Sequence, residues 1–155
     1  MSVCNRCTRH ALGLLSFIAT ILSACGSSPA DEALIRHFQE NRSSYEDLRN
    51  LLTADPTLAE VGTSGVQTLD SPQPATPPTA DISAERYQQY MDLLQKADGF
   101  RVSRSPGSDP TVCIGVLARG GGGTRHDDIC WHDRPPAKGV LTVRSIESGW
   151  YLEGD

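Results

Sequence analysis

Residues 111–133 read TVCIGVLARGGGGTRHDDICWHD, two β-prone runs on either side of four glycines at 120–123. Glycine adopts the positive φ values that a tight hairpin turn demands, so a two-residue turn at Gly121-Gly122 is the expected connection. Paired residue numbers then sum to 243. That register sets Val112 beside Trp131 and Ile114 beside Ile129, forming an apolar face. The other face carries Cys113–Cys130, Gly115–Asp128 and Leu117–His126. A slip of one residue would scramble both faces, so the agreement of pattern with register is informative. Counting outward from the turn puts the two cysteines in a non-hydrogen-bonded pair. Such pairs bring Cα atoms to about 4.5 Å, within disulfide range.

A metal site is the rival use of those cysteines. His126, Asp128, Cys130 and His132 alternate along one strand face with Cys113 opposite, and their ligand types suit zinc. Residues i and i+4 on a strand stand about 13 Å apart, too far to share one ion. Any single site is therefore restricted to Cys113, Cys130 and one of His132 or Asp128, with both thiols reduced. A disulfide is the first expectation, and a Cys113, Cys130, His132 metal set is the alternative.

Working outward, helical spacing appears in two places. Ser28 fits an N-cap, Pro29 the first helical position and Asp31 an acidic first turn. Leu34, Phe38, Tyr45, Leu48 and Leu52 then recur on one face, widened by Ile35 and Leu51, and Asn41 falls on that face where an apolar residue is expected. Pro56 disfavours α geometry at Asp55, which predicts a stop near Ala54. Ser83 caps a second helix, with Ile82 and Tyr87 at the staple positions and Gly99 as a left-handed stop. Its apolar face is Tyr87, Tyr90, Met91, Leu94 and Ala97. Between the helices, residues 62–80 are rich in Gly, Ser and Thr with four prolines, and read as an internal linker.

After Gly99 the apolar period becomes two. Phe100 and Val102, the run from Thr111, the run to Asp133, Val140 to Ser145, and Trp150 to Glu153 read as strands, the last two joined through Glu147-Ser148-Gly149. The expected architecture is α+β: two amphipathic helices packed on an antiparallel meander of about five short strands.

The N-terminus is of a different kind. Arg6, Arg9 and His10 precede an apolar run from Ala11 to Leu22, too short to span a bilayer, which needs about 20 residues, so residues 1–24 read as a signal peptide. The run ends in Leu22-Ser23-Ala24-Cys25, which resembles the bacterial lipoprotein lipobox. The resemblance implies diacylglycerol on the Cys25 sulfur, cleavage before Cys25, and a further acyl chain such as palmitate on its amine. Two or more chains anchor stably. Gly26 is not the aspartate of an inner-membrane retention signal, so the implied location is the periplasmic face of the outer membrane. Cys4 and Cys7 fall in the discarded segment. Residues 25–30 become a lipidated tether and 31–155 a single domain.

That subtraction changes the charge. The whole chain has 155 residues and a net charge of −5; without residues 1–24 it has 131 residues, 12 basic and 19 acidic side chains, and a charge of −7. Polyanion binding needs clustered Lys and Arg, so nucleic acid is excluded as a partner. No nucleophile elbow or phosphate loop is present: Gly62-Thr63-Ser64-Gly65 has the wrong spacing and the tetraglycine precedes no Lys-Ser or Lys-Thr. His126-Asp127-Asp128 offers an acid–base pair only on paper, because neighbours on a strand face opposite ways. His37 is expected at the surface. No catalytic residue and no cofactor beyond the Cys25 lipid is expected.

Three stretches resemble small lipoproteins of Gram-negative bacteria: the first helix through Leu51-Leu52-x-Ala54-Asp55-Pro56, Ile82-Ser83-x-Glu85-Arg86-x-x-x-Tyr90, and Arg144-Ser145-Ile146-Glu147-Ser148-Gly149-Trp150-Tyr151-Leu152. The resemblance implies location and architecture, and no functional residues. The resulting expectation is an envelope-anchored, non-enzymatic binding or assembly module with a protein partner and the bilayer as its second contact. The alternative is an inhibitor or immunity-type lipoprotein acting on an exported hydrolase, whose basic surface an acidic domain would suit.

Overall fold

A computed structural model describes residues 29–71, 73–105, 111–120, 123–136 and 142–154. The lipobox with Cys25, the N-cap Ser28, the turn at 106–110, the two central glycines 121–122 and Val140 lie outside the described residues. No described helix is long and apolar enough to cross a membrane.

The fold is α+β; the described residues form three helices and seven strands where two and about five were expected. The elements run α1 (Pro29–Glu40), α2 (Arg42–Ala54), β1 (Leu58–Gly62), β2 (Gly65–Thr68), α3 (Ala84–Lys96), β3 (Gly99–Ser105), β4 (Thr111–Gly120), β5 (Gly123–His132), β6 (Thr142–Glu147) and β7 (Trp150–Gly154). One antiparallel sheet holds every strand, in the order β2-β1-β3-β4-β5-β7-β6.

The first expected helix is two. Asn41 interrupts it, its side-chain amide donating to the His37 carbonyl at 3.1 Å and its own carbonyl accepting from Ser44 N–H at 2.9 Å. Asparagine offers the backbone these local bonds in competition with the helical ladder. The break lets Phe38 and Tyr45 stack at 5.0 Å, each also against Trp150, at 5.2 and 6.2 Å. Aromatic pairs at such separations add to plain area burial.

The segment read as a linker is partly sheet. β1 and β2 form a hairpin, and Ala75 then bonds Val66 in both directions, at 2.9 and 2.8 Å, along the outer edge of β2. A bulge between Leu58 and Glu60 breaks the alternation in β1, so its buried Leu58 and Val61 show no period of two. Helix α3 is capped as expected, Ser83 Oγ accepting from Arg86 N–H at 3.2 Å. Its stop differs: Asp98 takes the left-handed conformation, with φ of 50°. Gly99 instead provides closeness, since a Cβ there would stand 3.0 Å from an Ile114 methyl and 3.2 Å from a Leu94 methyl.

The sheet is not a simple meander. The β6–β7 hairpin folds back so that β7, not β6, pairs with β5. Burial explains the choice: Trp150 and Leu152 of β7 are buried, whereas Val143, Arg144 and Ser145 of β6 are not. The polar strand becomes the edge.

All three helices cover one face. Phe38, Tyr45, Leu48, Leu52, Tyr90 and Leu94 meet Val61, Val102, Ile114, Val116, Ile129, Trp150 and Leu152 in a single core. Ion pairs Arg144–Glu32 (2.7 Å) and Arg42–Glu147 (2.6 Å) tie α1 and α2 to β6.

Candidate functional site

The face of the sheet opposite the helices holds the chemistry. The β4–β5 ladder has the register expected from a Gly121-Gly122 turn, every pair from Thr111↔His132 to Gly120↔Gly123. Cys113 and Cys130 are joined by a disulfide, with Cα atoms 4.0 Å apart. The ladders to β3 and β7 extend this face sideways: Ser103 and Tyr151 flank the disulfide, and Arg101 and Glu153 flank the Gly115–Asp128 pair.

Arg101 lies across Gly115. A Cβ on Gly115 would come within 2.8 Å of the Arg101 side chain and of the Phe100 ring tip, so the missing side chain is the space both use. The guanidinium meets Asp128 at 3.1 and 3.2 Å and Glu60 at 3.8 Å. It also stands 5.5 Å over the Phe100 ring, which in turn meets His126 edge-on at 5.5 Å. Asp128 is therefore turned toward Arg101. Asp127, one residue earlier, is buried on the helix side, as alternation requires.

His132 and Glu153 lean toward each other along their strands and join at 2.7 Å. Thr111 Oγ1 lies 3.2 Å from His132 Nδ1. These partners fit the imidazole tautomer that donates from Nε2 to the carboxylate and accepts the hydroxyl at Nδ1. A Glu153 oxygen and both cysteine sulfurs lie within 4.8 Å of one another. The third group beside the sulfurs is thus Glu153, not His132, which corrects the expected Cys113, Cys130, His132 set. In the disulfide the sulfurs are bonded to each other, so no thiolate is present to bind an ion.

Hydroxyl, imidazole and carboxylate in a row look like a nucleophile with its base and orienting acid. Acyl transfer also needs free N–H donors for the oxyanion. Thr111, His132 and Glu153 sit on β4, β5 and β7, interior strands that, among the described residues, pair on both sides. The row holds His132 between Thr111 and Glu153.

Glu153 escaped sequence reading. Its parity with Tyr151 was visible, but which strand would lie beside β7 was not. His37, expected at the surface, is half-buried and lines a 180 Å³ cavity with Ala30, Leu34, Asp98 and Leu117. A larger, open groove of 530 Å³ runs between α2 and α3, bordered by Asp47, Leu51, Arg86, Gln89, Leu93 and Lys96.

Residues from two of the sequence stretches quoted above meet at that groove's end. Arg86 grips Asp55 at 2.9 and 3.2 Å, and the Tyr90 hydroxyl donates to Asp55 at 2.8 Å. Burial pushes the Tyr90 hydroxyl above its ordinary value of 10.0, with the Asp55 bond adding to it, and the Asp55 bond raises Arg86. Arg104 donates to the carbonyls of Leu52 and Pro56 nearby. The stretches thus lock α2, α3 and β3 together. No protein-family model, curated protein or solved structure matches the chain.

Proposed function

We propose that the chain is a lipid-held, non-enzymatic binding module of the Gram-negative envelope that presents its open sheet face to a protein partner. The observation that carries this reading is the contrast of that face with the rest of the sheet. Among the described residues no element covers it, yet it bears a rigid row of Glu60, Arg101 and Asp128 with Phe100 and Tyr151 beside it. Aromatic rings and a held arginine are the side chains that concentrate energy at protein interfaces.

Glu60 and Asp128 pair with the two terminal nitrogens of Arg101, while Arg101 Nε is buried without a hydrogen-bond partner among the described residues; the paired charges support recognition over catalysis. The anchor supports the same reading. α1 begins at Pro29, four residues beyond Cys25, and four residues reach at most about 14 Å. A domain tethered so closely works at the periplasmic surface of the outer membrane on partners brought to it.

The test has two parts. Labelled palmitate should enter the wild-type chain and not a Cys25→Ala variant; continued labelling of the variant would remove the anchor. The tagged chain should then retain an envelope protein through detergent solubilisation, and Arg101→Glu should release it. Retention unchanged by Arg101→Glu would sink the open-face reading. A basic hydrolase recovered at 1:1 would assign the inhibitor role, and a multi-protein complex the assembly role.

A further inference from the structure

The disulfide, Glu153 and His132 lie together on the open face with a geometry that partner binding does not require. We propose that reduction of Cys113–Cys130 opens a site for one zinc-class divalent cation, ligated by both thiolates and Glu153, with His132 positioning the carboxylate. The proposal goes beyond the partner-binding reading and stands or falls without it.

The ligand set is already gathered. Both sulfurs and a Glu153 oxygen lie within 4.8 Å of one another. Tetrahedral zinc, with bonds of about 2.3 Å to sulfur and about 2.0 Å to oxygen, needs ligand atoms about 3.5–3.8 Å apart. Side-chain rotation alone can part the sulfurs and draw in the carboxylate. Water takes the fourth position. Thiolate, carboxylate and water suit zinc among divalent ions, the thiolates setting the preference.

The surroundings fit as well. His132 donates from Nε2 to Glu153 at 2.7 Å and is itself held at Nδ1 by Thr111. A hydrogen-bonded carboxylate of this kind is the outer-shell arrangement that fixes metal ligands. Cys130 is wholly buried and Cys113 half-buried, while His132 and Glu153 keep 14% of their side-chain surface exposed. The site is dry enough to favour the ion and open enough to admit it.

The chemistry balances with a dithiol as reductant. One reductant thiolate attacks Cys113 Sγ, the more accessible sulfur, and the S–S bond breaks with its electron pair going to Cys130. The second reductant thiolate then attacks the first reductant sulfur in this mixed disulfide and expels Cys113 as a thiolate. The reductant leaves as a disulfide, two electrons and two protons having passed to the protein thiols. The incoming cation displaces those two protons.

The full chain, reduced with a phosphine under anaerobic conditions and freed of it, is titrated with cobalt(II) alone as the zinc probe. One cobalt per chain should bind with a thiolate-to-cobalt charge-transfer band and tetrahedral d–d bands, reversed by added zinc. The oxidised chain should give neither. Glu153→Gln should weaken binding at least tenfold, and His132→Gln about tenfold through loss of positioning. Circular dichroism of the reduced chain should keep its strand signal. A folded, reduced chain without the charge-transfer band overturns the proposal. So does unchanged affinity in Glu153→Gln, and so does loss of the fold on reduction, since the carboxylate would then no longer face the sulfurs.

Discussion

The two faces of one sheet carry opposite instructions. On the helix side, Val102, Ile114, Ile129 and Leu152 are buried, and the aromatic trio of Phe38, Tyr45 and Trp150 closes over them. On the other side, the same four strands β3, β4, β5 and β7 present Arg101, the disulfide, Asp128, His132 and Glu153, each tied to a neighbour. Apolar contacts on the first face gain stability from buried area and close packing, and changes of volume there are felt. The Arg101–Asp128 pair on the second, about a third exposed, contributes little to stability, about 0–1 kcal/mol. One face therefore makes the fold and the other is free to be specific.

The contrast predicts a gradient of effects. Trp150→Ala removes the centre of the aromatic cluster and should cost roughly 3–5 kcal/mol in urea unfolding. A loss below about 1 kcal/mol would mean that the helices are not seated on Trp150 as described. Replacing both Cys113 and Cys130 with serine should cost about 3 kcal/mol at most, since the sequence separation is only 17 residues.

Tyr90→Phe should cost about 1.5 kcal/mol by removing the hydroxyl bond to Asp55. It should also alter the response to alkali. The native Tyr90 hydroxyl holds its proton above the ordinary value of 10.0, so its contribution is complete below that pH and lost as pH rises through the folded value. Urea midpoints at about pH 8 and about pH 11 should diverge less in Tyr90→Phe than in wild type. Part of the fall should remain, because burial raises Tyr45 likewise. Equal falls in both proteins would remove Tyr90 as a source of the alkaline loss.

The smallest stability change belongs to the open face. Gly115→Ala forces Arg101 and Phe100 aside but meets only side-chain atoms, 2.8 Å away. Gly115 is buried beneath those side chains, so unfolding should shift by about 1 kcal/mol as they move aside, while partner retention should weaken as much as in Arg101→Glu. A large loss of stability with retention intact would reverse the roles assigned to the two faces.

How far the sequence reveals this depends on whether an interaction is local. The Cys113–Cys130 pairing was legible because a tight glycine turn and strict alternation fix a register over a long hairpin. Helix α3 was legible from Ser83 and the spacing of Tyr87, Tyr90 and Leu94. The β1–β2 hairpin was hidden because a bulge spoils its period, and its glycines and prolines look like a linker. Asn41 stood out on its apolar face, but that it would split the helix follows only from how Phe38 and Tyr45 close on Trp150, a residue more than a hundred positions away. Glu153 and the Asp55–Arg86–Tyr90 lock depend on strand order and helix docking, which no local pattern encodes.

The direct test of the two-face account places a photo-crosslinking residue at Ser103 on the open face, and separately at Gln89 in the α2–α3 groove, in living envelopes. The account predicts a discrete cross-linked protein from Ser103 and none from Gln89. A discrete product from Gln89 with none from Ser103 would contradict it.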